Sequence, residues 1–362
     1  MRILALTSNY RLSGQGLAAH YICEALAKRG HDIRLQVFDS TQELKGRFKR
    51  TGYKVDIRPS VPLMISTGVH VLKQVLYLLN LHRARGFDLA LGLDANDAAA
   101  MGAAFAKEAG LPVAIVGWGN ELKGLGRGEL GFLRNSDLLL PMSRWAKEMF
   151  VEADFDEERM KVIVPGIDPD IFRPIGTRKK GLGIITITDL VKGCGVDQLM
   201  KVLKLLLNRG HDSWLTVVGE GKERRSLKAR AKKTLLDRST KFVGHISPRK
   251  LAELMKDHHV MALIPRTIRG RPPRDFSLAM IEAAAAGLGI VGTESGGLVD
   301  SLRFSSGLKV PAESSERIAR TIEKAALKAS MVGDPEETRG RIQTWEETAL
   351  DMEMALEDIV YE

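Results

Sequence analysis

The chain has 362 residues, 44% hydrophobic and 27% charged, enough for two sizeable cores; this composition excludes a disordered or collagen-like chain, and two cysteines exclude a disulfide-stapled one. A formal net charge of +9 favours anionic partners. Aromatic residues make up only 6%, too few to interleave with the cations as nucleic-acid binding requires, so no nucleic-acid partner is expected; phosphorylated small molecules or an acidic membrane surface remain.

The first ten residues, MRILALTSNY, turn polar too soon for a secretion signal and read as a first strand. Cys23 and Cys194 lie far apart with no neighbours at metal-ligand spacing, which points to a reducing cytoplasm and no metal site. No apolar run of about 18 residues occurs. The nearest, 61–81, is interrupted by His70, Lys73 and Gln74.

Short β-rich runs alternate with helical patterns, the grammar of an α/β protein with parallel sheets. Strands are expected at 3–6, 33–37, 55–57, 89–93, 113–116, 138–140 and 162–164, several of them unbroken apolar runs suited to burial on both faces. Between the first two, Leu17, Ile22 and Leu26 lie at helical spacing and Gly30 ends the helix. The preceding turn, Ser13-Gly14-Gln15-Gly16, lacks a full G-x-G-x-x-G, so a phosphate cradle and a plain tight turn both stand.

After Pro174 the pattern restarts, with strands expected at 183–188, 215–218, 241–243, 260–264, 290–291 and 308–310. Arg29-Gly30-His31-Asp32 is echoed by Arg209-Gly210-His211-Asp212, each closing a first helix before a second strand, which predicts a duplicated Rossmann-like plan. The Pro-rich stretch 164–174 reads as a linker between an N-terminal domain, 1–172, and a C-terminal domain, 173–341; the tail 342–362 joins the first. That tail is amphipathic, with Trp345, Leu350, Met354 and Leu356 on its expected apolar face. Two basic segments, 45–58 and 222–233, suit either an acidic membrane or solvent, the solvated face being the commoner outcome.

The densest chemistry lies in 264–297. A strand leads to a loop holding Arg266, Arg269, Arg271 and Arg274, then to a helix ending at Gly287, then to a strand ending in Gly296-Gly297. A loop at the carboxyl end of a parallel strand that feeds a helix N-terminus gathers free N–H groups and favours anions. In the first half, 117–128 is a glycine-rich loop where Trp118 either stacks on a sugar or sits in the core. His258-His259 reads as structural.

These motifs together resemble glycosyltransferase family 4, the nucleotide-sugar enzymes of GT-B architecture. The resemblance rests on RGHDIRL, VIVPGIDPDIFRP, LTVVGEG, KFVGHIS, FSLAMIEAAAAG, GTESGGLVD and a final W-E-x-x-A helix, in the family's order over nearly the whole chain. It implies two facing Rossmann-like domains with a cleft between them, and retaining transfer of a sugar from a nucleotide-diphosphate sugar to an acceptor hydroxyl. It implies no metal and no cofactor beyond that co-substrate. The acceptor is a glycan, a lipid-linked molecule or a small molecule, met in the cytoplasm or at the inner membrane face.

Carried over residue by residue, the resemblance assigns donor binding to Lys192, Arg266, Ser277, Leu278, Glu282, Gly296 and Gly297. Acceptor binding falls to Gly14, Gly16, Trp118 and Asn120, and the reacting groups are surrounded by Arg274, Glu282, Asp189 and Glu121. Glu282 matches the second glutamate of the family's E-x7-E motif, but the first falls on Arg274. Gapless alignment puts Asp189 and Cys194 where an arginine and a lysine clamp the diphosphate; a small shift makes Lys192 the lysine. The family's H-G-x-D reads Trp118-Gly119-Asn120-Glu121. An indole has only a donor N–H, so proton acceptance would fall to the departing phosphate oxygen or to Glu121.

Two readings follow. In one, charge is exchanged: Arg274, with Arg266, Arg269 or Arg271, supplies the clamp, while Asp189 pairs with it or meets a sugar hydroxyl. In the other, the donor site is degenerate and the protein binds nucleotide sugars or glycans without turnover.

Overall fold

The computed structural model describes residues 1–8, 14–38, 52–58, 68–174, 179–268, 274–331 and 342–361. Ser13, Arg269, Arg271 and the first half of the basic stretch, 45–51, lie outside the described residues. The chain divides into two units, Met1–Gly166 with Thr344–Glu362, and Ile167–Gln343.

The first unit holds strands β1 Arg2–Thr7, β2 Asp32–Phe38, β3 Lys54–Arg58, β4 Leu89–Gly92, β5 Val113–Gly117 and β6 Leu138–Pro141 in the parallel order β3-β2-β1-β4-β5-β6. The helices between them are α1 Gly14–Lys28, α2 Gly68–Arg85, α3 Asp97–Ala109 and α4 Arg127–Arg134, and α5 Arg144–Glu152 follows β6. The second unit repeats the plan with β7 Leu182–Ile187, β8 Ser213–Val218, β9 Thr240–Gly244, β10 Val260–Leu263, β11 Gly289–Gly292 and β12 Leu308–Lys309, ordered β9-β8-β7-β10-β11-β12. Its helices are α6 Val196–Asn208, α7 Arg224–Lys233, α8 Pro248–Met255, α9 Leu278–Ala285, α10 Leu298–Phe304 and α11 Ser315–Met331; α12 Trp345–Tyr361 returns to the first unit.

Both sheets therefore read 3-2-1-4-5-6, the order in which the strand sequence reverses beside the first strand and opens a crevice at the carboxyl ends. β4, β5 and β10 are buried at every position, as helices on both faces require. Local chemistry sets the helix ends. The Asn96 side chain accepts the Ala98 N–H at 2.9 Å to start α3, Gly110 at φ 67° ends it, and Ser143 Oγ accepts the Ala146 N–H at 3.0 Å to start α5.

The expected strand at 162–164 is not one. Met160 makes one isolated bridge to Leu139, and the Ile163 N–H donates to Pro141 O at 2.9 Å, after which Pro165 turns the chain off the sheet. The units divide at 166/167 rather than 172/173, because Ile167, bonded to Gln343 O at 2.9 Å, and the buried Phe172 belong to the second.

α12 packs on α1, its Trp345 ring stacked on Tyr21 at 5.4 Å and its Thr348 hydroxyl donating to Val164 O at 2.9 Å. Its apolar face differs from the expected one. Trp345, Ala349, Met352, Ala355 and Leu356 are buried, whereas Leu350 and Met354 point outward, because small alanines let the two helices approach.

The sequence echo is a clasp used twice. Arg29 and His31 both reach Glu353 of α12, His31 through Nε2 at 2.8 Å. Arg209 and His211 both reach Glu323 of α11, at 3.0 and 3.1 Å. Glu353 is the more buried glutamate, 14% against 29% side-chain exposure. Glu353→Ala is accordingly expected to cost about 1–2 kcal/mol and Glu323→Ala about 0.5–1 kcal/mol in urea unfolding. A reversed order would overturn the burial argument.

Candidate functional site

In the second unit three loops meet at the carboxyl edge of the sheet, where β7 and β10 adjoin. The loop after β7, residues 188–195, lies against the loop after β10: the Arg266 N–H donates to Gly193 O at 2.9 Å, and a Cβ at Gly195 would stand 1.8 Å from Ile264 O. Gly193 and Gly195 hold φ of 81° and 86°, conformations that glycine adopts without steric cost.

Arg274 ties these loops to the third, residues 293–297. Its backbone carbonyl accepts the Gly297 N–H at 2.7 Å, and its guanidinium Nη2 donates to Thr188 Oγ1 at 2.9 Å. The Gly-Gly turn has a steric reason as well: a Cβ at Gly297 would meet Phe276 N at 2.4 Å, and Gly296 sits at φ 54°. Ser277 opens α9 with its N–H donated to Ser301 Oγ at 2.7 Å, and Leu278 beside it is buried.

Glu282 lies in α9 and is 7% exposed. Burial, and then the negative charge of Asp168, push its carboxyl up to about 8. Burial also raises the Cys194 thiol, and the nearby Arg274 charge works against that rise.

The expected roles sort unevenly. Arg274, Thr188 and the Gly296-Gly297 turn converge on one edge. The expected pairing of Arg274 with Asp189 is not formed: Asp189 is exposed, and the guanidinium bonds its neighbour Thr188. Arg266 is braced by Asp197 of α6 at 2.6 Å, with Arg230 at 3.7 Å from the same oxygen, so its charge is already engaged. Lys192 is exposed on the 188–195 loop. Thr188, which bonds Arg274, and Asp168, whose charge acts on Glu282, carry no mark of those roles in the sequence.

In the first unit, Gly14 and Gly16 form the first turn of α1 beyond β1. Trp118 is 2% exposed and its indole N–H has no partner among the described residues, so it is a core residue; stacking on an acceptor, one of its two expected roles, is incompatible with that burial. Asn120 starts a 3-10 turn, Asn120–Gly124. Glu121 Oε1 accepts the Trp118 N–H at 2.5 Å, and the amides of Ala95 and Gly119 also face the carboxylate. Its Oε2 has no partner among the described residues, and burial raises its carboxyl above the ordinary range. Nearby, burial pushes Asp94 up to about 7 although Thr7 Oγ1 donates to it at 2.8 Å, and the Glu121 charge adds to the rise. His258 is structural: Nδ1 bonds Leu254 O at 2.7 Å and Nε2 meets Thr216 Oγ1 at 2.8 Å, with burial lowering the ring to about 4.

Two family models match in series. The one described as Glycosyltransferase Family 4 covers residues 12–171, and the one described as Glycosyl transferases group 1 covers 168–338. The chain belongs to glycosyltransferase family 4. A GDP-mannose-dependent monoacylated alpha-(1-6)-phosphatidylinositol monomannoside mannosyltransferase of Corynebacterium glutamicum is 25% identical over 311 residues, 79% of each chain. A GDP-mannose-dependent alpha-(1-6)-phosphatidylinositol monomannoside mannosyltransferase of Mycobacterium tuberculosis is 24% identical over 203 residues, 52% of each chain, so there this chain spans about half the length of the relative it matches. Among solved structures, Anabaena HepE in complex with UDP and glucose agrees with a TM-score of 0.79 at 17% identity, over 98% of this chain and 99% of that one. Sucrose-phosphate synthase of Thermosynechococcus elongatus agrees at 0.78 and 16% over the full length of both. These likenesses establish the GT-B fold.

Three residues singled out in the sequence have distinct structural fates. Arg274 organises the loops of the carboxyl edge, Asp189 stays in solvent, and Trp118 joins the core. No helix among the described residues is long and apolar enough to cross a membrane, and no group of three potential metal ligands occurs among them.

Proposed function

We propose that the protein transfers a sugar from a nucleotide-diphosphate sugar to an acceptor hydroxyl, with retention and without a required metal. The observation that carries this reading is the position of Arg274, whose backbone and side chain join all three loops at the strand-order reversal of the second unit. A guanidinium there offers a fork to a diphosphate, and it offsets the negative charge that grows on a departing nucleoside diphosphate. Glu282, buried on the helix that follows, accepts ribose hydroxyls. The departing phosphate oxygen takes the acceptor proton.

The relatives named for GDP-mannose and phosphatidylinositol mannosides, and the neighbour solved with UDP, set the first substrates to test. Such a lipid-linked acceptor would be met at the cytoplasmic membrane face, with the basic α7 turned to acidic lipid. GDP-mannose, UDP-glucose and ADP-glucose are each incubated with and without mannosylated lipid, and donor consumption is followed with EDTA present. NMR of the product anomer reports retention. Nucleotide-sugar binding without turnover under every acceptor condition would instead establish a binding protein.

Glu282 also makes stability depend on pH. Its carboxyl keeps a proton in the folded state up to about 8 but releases it near the ordinary 4.5 when unfolded, so stability falls as pH rises between those values. Glu282→Gln is expected to flatten that decline and to be more stable than the parent at pH 8.5 by on the order of 3 kcal/mol, read from urea midpoints at several pH values. The same variant loses nucleotide affinity if the carboxylate accepts the ribose hydroxyls.

A further inference from the structure

The opposite edge of the second unit carries another basic pocket. A cavity of about 360 Å³ opens where the chain enters β8 and β9, closed on one side by the end of α8. That is the amino-terminal edge of the sheet, whereas Arg274 and the Gly-Gly turn stand at its carboxyl edge.

Its rim carries Lys179, Arg238 and Lys241, together with Asp212 and Asp257. None of the three cations forms an ion pair with a carboxylate among the described residues, although two aspartates line the same cavity. Lys179 stands 5.1 Å over the Trp214 ring.

The floor is polar and mostly committed. Trp214 Nε1 donates to His258 Nε2 at 3.3 Å, and the Thr216 hydroxyl meets that nitrogen at 2.8 Å. Since His258 Nδ1 bonds the Leu254 carbonyl at 2.7 Å, the ring is neutral and its remaining nitrogen accepts from both. Ser213, 3% exposed, also lines the cavity, and its hydroxyl oxygen is buried beneath the surface without a partner among the described residues.

We propose that this pocket binds a phosphate group, most suitably that of a small phosphate ester, at a site separate from the nucleotide-sugar site. Two ammonium groups and a guanidinium fork surround one space, and with Asp212 and Asp257 on the same rim they leave it a net positive charge. A planar carboxylate has two oxygens to share among the three cations, whereas the phosphate of an ester has three terminal oxygens, one for each. The volume lies at the small end of ligand cavities, with room for a short carbon body beside the phosphate.

The experiment measures glycerol 3-phosphate and inorganic phosphate binding to the full chain by calorimetry, with indole fluorescence reporting on Trp214. The double variant Arg238→Ala with Lys241→Ala changes exposed side chains, and its urea midpoint verifies folding. Expected is an affinity loss of about tenfold or more in the double variant, with nucleoside-diphosphate affinity unchanged, and the converse in Arg274→Ala. Phosphate affinity unchanged in the double variant, or abolished by Arg274→Ala, overturns the proposal. Phosphatidylglycerol vesicles form a parallel arm. Vesicle binding that the double variant removes, without binding of the soluble ester, assigns the phosphate to a lipid headgroup at the same site.

Discussion

Arg274→Ala is expected to weaken nucleoside-diphosphate binding by about 10- to 100-fold and to lower transfer by at least as much, measured by calorimetry and initial rates. The guanidinium performs two tasks. One N–H fixes Thr188, which starts the loop after β7, and the remaining donors have no side-chain partner among the described residues. Removing the side chain deletes the charge and frees that loop together. Arg274→Lys keeps the charge but loses the planar fork, so it should recover only part of the affinity.

Thr188→Val isolates the positioning component. It should weaken binding less than Arg274→Ala, and combining the two should cost less than the sum by about 1 kcal/mol, the coupling of a direct hydrogen bond. Asp189 provides the contrast. Its side chain is exposed, with no contact to Arg274 among the described residues, so Asp189→Asn should stay near the parent in affinity. If Asp189→Asn instead matches Arg274→Ala, charge exchange between those two positions is restored as the better account and the Thr188 contact becomes incidental.

Why the one arginine was legible and its partner was not has a physical basis. Parallel strands covered on both faces must be unbroken apolar runs, which is why β1, β4, β5, β7 and β10 stand out in the sequence. Residues 162–164 carry the same signal because a chain leaving a sheet edge beneath a helix also needs apolar cover; alternation cannot separate a ladder from a covered exit.

The echo at Arg29 and Arg209 was legible as a repeat, but its chemistry was not. The glutamate that answers Arg29 and His31 lies on a helix 322 residues further on from His31, and only the fold brings them together. α12 misled because its buried face is set by alanines, which hydrophobic periodicity weights lightly.

At the site, a charged residue in a family motif announces itself while a threonine beside it carries no comparable mark. Arg266 looked equivalent to Arg274 until α6 placed Asp197 against it. Trp118 looked available because glycines surround it, yet those glycines serve packing: a Cβ at Gly117 would fall 2.2 Å from the Phe150 ring, and one at Gly119 3.0 Å from Trp145. The glycines of this loop are in part glycines of close approach.

Gly195→Ala tests that distinction where it matters most. Alanine at φ 86° pays roughly 1 kcal/mol for the backbone alone, and its methyl would then stand 1.8 Å from the Ile264 carbonyl oxygen, a contact that no rotamer can relieve. The loops after β7 and β10 must part, which strains the Arg266 N–H bond to Gly193 O and moves Thr188 away from Arg274. The expected loss of stability is about 3–5 kcal/mol in urea unfolding, with nucleotide binding falling in parallel. Gly210→Ala is the matched control: Gly210 has φ 84° and nothing within 4 Å of the added carbon, so it isolates the cost of the backbone conformation at roughly 1 kcal/mol. The difference between the two variants measures the close approach of the two loops. Equal destabilisation would show that the conformation alone, and not the contact with Ile264, keeps glycine at the start of α6.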